Sequence, residues 1–148
     1  MSAEIRLIRG GDESVLDAIA PEVFDEAIDP GTLKRFLAEP NHHLFVAIDA
    51  DIVVGFVSAV LYEHPDKTAP ELWINELGVS PAHQRQGVGA ALLDALLEHA
   101  RALGCSEAWV LSDRNNDKAK RLYASRTNQP VIDVQMFTFL LADPASGD

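Results

Sequence analysis

The chain has 148 residues, 47% of them hydrophobic, and sets 12 Lys and Arg against 23 Asp and Glu for a net charge of −11. A domain of this size can bury roughly 70% of the surface its unfolded chain exposes, so it folds without staples; its single cysteine, Cys105, excludes an internal disulfide. The acidic surplus repels phosphate backbones, which argues against a nucleic-acid partner, and it concentrates cations near the surface. No apolar run reaches the roughly 18 to 20 residues of a membrane span, and the start MSAEIRLIRGGDES lacks a basic and apolar leader pattern. The expected location is the cytoplasm, with no membrane partner, and a lone thiol suits a reducing compartment.

In chain order, residues 5–9 read as a short strand ended by Gly10 and Gly11. Apolar residues at Val15, Leu16, Ile19, Ala20, Val23 and Phe24 predict a helix closed by Pro30 and Gly31, and Leu33, Phe36 and Leu37 predict a second, shorter one before Pro40. Residues 43–48 and 52–61 flank the turn-forming Asp49, Ala50 and Asp51 and form a predicted antiparallel hairpin. After a loop at 63–67, residues 72–79 make a third strand that runs into Ser80 and Pro81. The strongest helix follows. Val88, Leu92, Leu93, Leu96, Leu97, Ala100 and Leu103 form one apolar stripe, and Gly104 is its left-handed stop. Residues 109–111 predict a strand, Asn115 or Asn116 caps a helix through Ala119, Leu122 and Tyr123, and residues 131–141 predict one or two closing strands. The tail at 143–148 is expected to fray. The order implies an α/β fold in one domain spanning 1–148: a mixed, mostly antiparallel central sheet with helices on both faces.

Chemistry concentrates where the third strand meets the strongest helix. Gln84-Arg85-Gln86-Gly87-Val88-Gly89-Ala90 places two glycines at a helix start, where backbone N–H groups lack intrahelical partners and carry the positive end of the dipole. A diphosphate suits such a cradle, and Arg85 adds charge. A tight strand-to-helix turn would use the same glycines. There is no Gly-Lys-Ser/Thr for a P-loop and no third glycine for a dinucleotide fingerprint.

Residues 75–93, NELGVSPAHQRQGVGAALL, resemble the acyl-CoA signature of the GNAT N-acetyltransferase superfamily, with its Gln/Arg-x-x-Gly-x-Gly/Ala core. Asn116-Asp117-Lys118-Ala119-Lys120-Arg121-Leu122-Tyr123 is similar to that superfamily's second motif, Asn-x-x-Ala-x-x-Leu-Tyr. The resemblance implies a GNAT-like sheet and acetyl-CoA as cosubstrate, without a metal. By position, main-chain amides of Gln84, Arg85, Gln86, Gly87, Val88, Gly89 and Ala90 would hold the pyrophosphate. Leu77 and Val79 would pair with the pantetheine arm where the third strand splays, and Asn116 would steady it. Tyr123 would protonate the departing thiolate.

Glu76 is the expected base. An amine arrives mostly as ammonium and must lose a proton before it attacks the thioester; burial beside Trp73, Ile74 and Leu77 would raise an ordinary Glu toward a useful range. Simple alternation puts Ile74, Glu76 and Gly78 on one face. Cys105 reads as a buried structural thiol, and His42, His43, His64, His83 and His99 lack metal-ligand spacing.

Within the superfamily, the segments at 51–55, 73–79 and 112–117 make the chain most similar to the GNAT-type aminoglycoside 3-N-acetyltransferases. That implies a cationic amine acceptor, with Asp113 and Asp117 joining Glu76 as substrate-binding carboxylates, and it admits a homodimer built through sheet edges or the last strands. Residues 124–130 depart from the usual ending after the tyrosine. A polyamine, amino acid or protein amine is the alternative acceptor, and a non-catalytic acyl-CoA binding module is the alternative of another class.

Overall fold

A computed structural model describes residues 3–143. Its strands are β1 (Glu4–Leu7), β2 (His42–Asp49), β3 (Ile52–Tyr62), β4 (Glu71–Val79) and β5 (Glu107–Val110); its helices are α1 (Pro30–Ala38), α2 (Val88–Ala102) and α3 (Asp117–Ala124). The strands form one sheet in the order β1-β2-β3-β4-β5, antiparallel except for the parallel pair β4 and β5. The expected mixed sheet with helices on both faces is therefore present.

The hairpin forms as read: Ala50 and Asp51 take the left-handed backbone angles that a two-residue turn requires. The predicted helix through Val15 and Phe24 does not form. Only a 3-10 turn at Glu13–Asp17 is helical there. Pro21 sits where that helix would need a donor, and the backbone just before it pairs instead with β3, Ala20 N–H to Val53 O and Val53 N–H to Ala18 O, both at 2.9 Å. The apolar residues keep their destination, since Leu16 and Val23 remain buried. Pro30 opens α1 rather than closing a helix before it, because Asp29 caps that end by accepting from Thr32 N–H at 2.8 Å.

Two apolar clusters cover the two faces. On one, α2 lays Val88, Leu92, Leu93 and Leu96 on Val57, Ala59, Leu72 and Ile74. Gly55 permits that approach: a Cβ there would lie 3.1 Å from side-chain atoms of Val88 and Leu92. On the other, α1 and the 3-10 turn place Leu33 and Leu16 against Leu44, Val46 and Phe56 of β2 and β3.

The closing strands expected at 131–141 are absent. These residues have no regular structure, and Val131, Ile132, Val134, Met136, Phe137, Phe139, Leu140 and Leu141 are 59–95% exposed. A strand needs an edge to pair with, and ion pairs of Arg114 with Asp133 and of Arg126 with Asp94 hold the root of the segment on the chain's own loop and α2. Of the tail expected to fray, all but residue 143 lies outside the described residues.

The position of α2 is pinned near its far end by an imidazole pair. His99 Nε2 lies 3.1 Å from His43 Nδ1 of β2, and Phe45 meets the His99 ring edge-on. Burial first, then the neighbouring His99 and His42, lowers the His43 pKa; burial and then Arg9 lower that of His99. The unfolded chain therefore takes up protons near the ordinary value of 6.5 while the folded chain resists them. This contribution is present above that pH and is lost as pH falls below it. The melting temperature is expected to hold above about pH 7 and to drop through pH 6.5 to 5. A His43→Leu variant scanned over the same series should show a shallower drop.

Candidate active site

The site begins with a change of phase in β4. Ser58 faces Glu76 but Ala59 faces Ile74, so Asn75 is an extra residue, a bulge. The consequence is that Ile74 and Glu76 lie on opposite faces, contrary to simple alternation. Leu72, Ile74, Leu77 and Val79 all meet the α2 side, while a Cβ on Gly78 would run into Phe56 on the other. Glu76 shares the face of Gly78 and is exposed. The burial expected to tune its carboxylate is not there.

Beyond the bulge β4 also loses its neighbour. The parallel ladder covers only Glu71 to Ile74 opposite Glu107 to Val110, so the strands part from Asn75 onward. On the α2 side that parting opens into a cleft of about 410 Å³. Leu77 and Val79 form one wall, α3 from Asn116 to Tyr123 the other, and the loop ending in the first turn of α2 forms the end.

That loop is shaped for an anion. Arg85 at φ 65° and Gly87 at φ 81° both take the left-handed conformation within three residues. For Gly87 this is unstrained; for Arg85 it is the kind of backbone cost that recurs at functional sites. Gly87 caps α2 without a side-chain acceptor, which leaves first-turn N–H groups of Val88, Gly89 and Ala90 for a ligand. The loop is braced from behind by His83, with Nδ1 3.3 Å from Ser80 Oγ and Nε2 3.1 Å from Asp49 Oδ2 of the hairpin turn. Gly89 allows α3 to close in, since a Cβ there would meet Leu122 at 3.4 Å.

Of the residues expected at the cofactor site, the structure brings Leu77, Val79, Gln84, Arg85, Gly87, Val88, Gly89, Ala90 and Asn116 to this cleft, together with Tyr123, expected as the acid. Gln86 is not among the lining residues; its side chain turns back to the Ala82 carbonyl at 3.4 Å. Asn116 Oδ1 caps α3 by accepting from Ala119 N–H at 3.1 Å, which leaves its amide N–H₂ for a ligand. Asp113 and Asp117 are exposed and outside the cleft. Asp113 Oδ1 closes a turn by accepting from Asn115 N–H at 2.8 Å, and Asp117 lies in the first turn of α3, a favourable place for a carboxylate.

Sequence reasoning missed Lys118, Arg121 and Leu122. Their i, i+3, i+4 spacing on the predicted helix was the available signal. Lys118 Nζ donates to Gln84 Oε1 at 2.7 Å, and Gln84 Nε2 donates to Val79 O at 3.3 Å, so one side chain ties α3 to β4. The lining thus holds Arg85, Lys118 and Arg121 and no carboxylate, in a chain of net charge −11. Tyr123 is half-buried, and burial raises its phenol pKa, which keeps it protonated at neutral pH. Burial likewise pushes the Cys105 thiol up, away from nucleophilic use.

Comparison with known proteins agrees with this geometry. Residues 13–127 match the model of the acetyltransferase (GNAT) family. The N-alpha-acetyltransferase RimI of Mycobacterium tuberculosis is 35% identical over 104 residues, covering 70% of this chain and 62% of that protein. Human N-acetyltransferase 8 is 33% identical over 92 residues, covering 62% and 40%. The chain thus spans between two fifths and two thirds of the length of these relatives. An aminoglycoside acetyltransferase from an uncultured soil metagenomic sample, solved with trehalose, superposes with a TM-score of 0.84 at 24% identity, covering 95% of this chain and 97% of that one. The left-handed loop, the cationic cleft and the family match over most of the chain converge on one statement: the chain belongs to the acetyltransferase (GNAT) family.

Proposed function

We propose that the chain is an acetyl-CoA-dependent N-acetyltransferase whose acceptor is a cationic small amine of the aminoglycoside kind, acetylated directly without an acyl-enzyme. The observation that carries this reading is the cleft: helix-start amides and three cations suited to a diphosphate, continuous with a bare β4 edge suited to an amide-bearing arm. Arg85, Lys118 and Arg121 would meet phosphate charge, and the backbone of Leu77 and Val79, which has no strand beside it toward β5 although Gln84 Nε2 already reaches the Val79 carbonyl, would pair with the pantetheine amides.

The parting of β4 from β5 gives each reactant its own side. The thioester reaches the gap from the α2 face, and the amine comes from the face of Glu76. Glu76, exposed, takes the ammonium proton directly or through a water. The amine lone pair then forms the C–N bond and the C–S bond breaks; Tyr123 supplies the proton that turns the departing thiolate into a thiol and recovers one, through water, from the second proton that the nitrogen gives up. Holding both reactants in this geometry is the larger part of the catalysis.

A second acceptor, the α-amino group of a peptide, is favoured by the likeness to RimI. Thiol release from acetyl-CoA with sisomicin, spermidine, amino acids and a peptide with a free N-terminus separates the acceptors. With the active acceptor, Glu76→Gln should lower kcat about a hundredfold and Tyr123→Phe about tenfold, with the acetyl-CoA KM nearly unchanged. A Lys118→Met, Arg121→Met variant should instead raise the Kd for acetyl-CoA about tenfold and weaken its dependence on salt, measured by calorimetry.

The proposal extends to a homodimer built through residues 131–141. Eight large apolar side chains there amount to on the order of 800 Å², about one partner's share of a standard interface. An 11-residue extended segment spans about 36 Å, against roughly 13 Å for the four residues of β5, so its own edge strand leaves most of it bare. Sedimentation equilibrium is expected to give twice 16.1 kDa. A Phe137→Asp, Phe139→Asp variant should sediment as a monomer that still melts higher with acetyl-CoA; a monomeric wild type contradicts the dimer.

A further inference from the structure

Within this acetyltransferase reading, one surface has no part in the cleft. Register places Tyr62, Trp73, Trp109 and Glu76 on the same face of the sheet, opposite α2. At the β1 to β3 end that face is covered by α1 and the 3-10 turn, but Trp73 and Trp109 belong to neither apolar cluster and are only half-buried. The two indoles are nearly parallel, 20° apart with centroids at 5.9 Å. Trp109 is fixed in place: its Nε1–H donates to Tyr62 Oη, which donates in turn to Glu71 Oε1 at 2.9 Å. Glu71 is further occupied by Lys67 at 3.6 Å. Trp109 held in this way with Trp73 stacked beside it, both half-exposed, makes a flat aromatic surface suited to a partner.

Its rim is acidic. Glu107, in register with Glu71, is exposed at one end, and Glu76 is exposed past the bulge at the other. Five strand rises, from the level of Glu71 to Glu76, separate them, about 16 Å. We propose that Trp73 and Trp109 form the acceptor floor: a ring-bearing polyamine, an amino sugar rather than a linear polyamine, lays a ring face on the indoles. One ammonium is near Glu107 and the reacting one is at Glu76. The flat indole pair matches the flat face of a ring, indoles attract nearby ammonium groups, and the two carboxylates set the spacing. A linear polyamine gains the charges but little of the stacking area.

Trp73 and Trp109 are the only tryptophans in the chain, so intrinsic fluorescence reads the proposed floor directly in the unaltered protein. Titration with sisomicin is expected to give a saturable change in tryptophan emission, and spermidine at equal concentration a much smaller one. In Trp73→Leu, the KM for sisomicin should rise about tenfold, with kcat changed less than twofold and the acetyl-CoA-induced melting shift retained. The proposal is overturned by sisomicin binding or turnover without a change in emission, by an unchanged KM in Trp73→Leu, or by equal responses to the linear amine. It is also overturned if sisomicin neither binds nor is acetylated while acetyl-CoA still raises the melting temperature, which leaves the acetyltransferase reading standing. Absence of both the melting shift and thiol release with every amine removes that reading as well.

Discussion

One residue too many in β4 organises the molecule. Up to Ile74 the strand is paired on both sides, with β3 and β5; at Asn75 it slips one position against β3, and from there it has no partner toward β5. A bulge increases local twist and bends its strand, and here the bend coincides with the parting of the two parallel strands. The gap connects the two faces of the sheet. Without it, the cationic cleft beside α2 and the carboxylate of Glu76 would be separated by a continuous hydrogen-bonded layer, and the proposed reaction could not pass between them.

Around that gap the chain spends its few positive charges with economy of placement. Three of its twelve Lys and Arg line one cleft that has no carboxylate. On the other face the balance reverses, with Glu76 and Glu107 exposed and Glu71 tied up by Tyr62 and Lys67. In the proposed reaction an anionic cosubstrate and a cationic acceptor would be sorted by side before either is positioned, which is electrostatic complementarity acting over a distance larger than any single contact. Rigid supports hold each half. His83 fastens the loop to the hairpin turn, Gln84 ties β4 to α3, and the bond to Tyr62 holds the Trp109 indole.

The second organising constraint is the unfinished edge of the sheet. Five strands end at a four-residue β5, and the apolar residues that would extend the sheet lie in water along 131–141. Such a surface is large for a monomer. The same edge carries Trp109, so pairing there and the proposed acceptor floor are structurally adjacent.

Much of this was legible in the residues alone. The hairpin around Asp49 to Asp51, the apolar stripe of α2 with its left-handed stop at Gly104, the Asn116 cap and the glycine-bearing cradle all follow from local chemistry: turn propensity, helical period, missing Cβ atoms and free N–H groups. What failed depended on partners distant in sequence. The helix expected across Pro21 gave way to a backbone bridge with Val53, and the residues expected to form closing strands do not pair with the free edge of β5. The face of Glu76 could not be read from alternation because a bulge is visible only as a slip between two strands. Lys118 and Arg121 join Arg85 only because α3 packs back against α2 through Gly89. Where the pattern was local, the sequence by itself was enough to say which segments are helix or strand, and it put the glycine-bearing loop at the start of α2. Tertiary structure decided which faces those segments present to one another, because register and close approach are properties of pairs of strands and helices, not of either one alone.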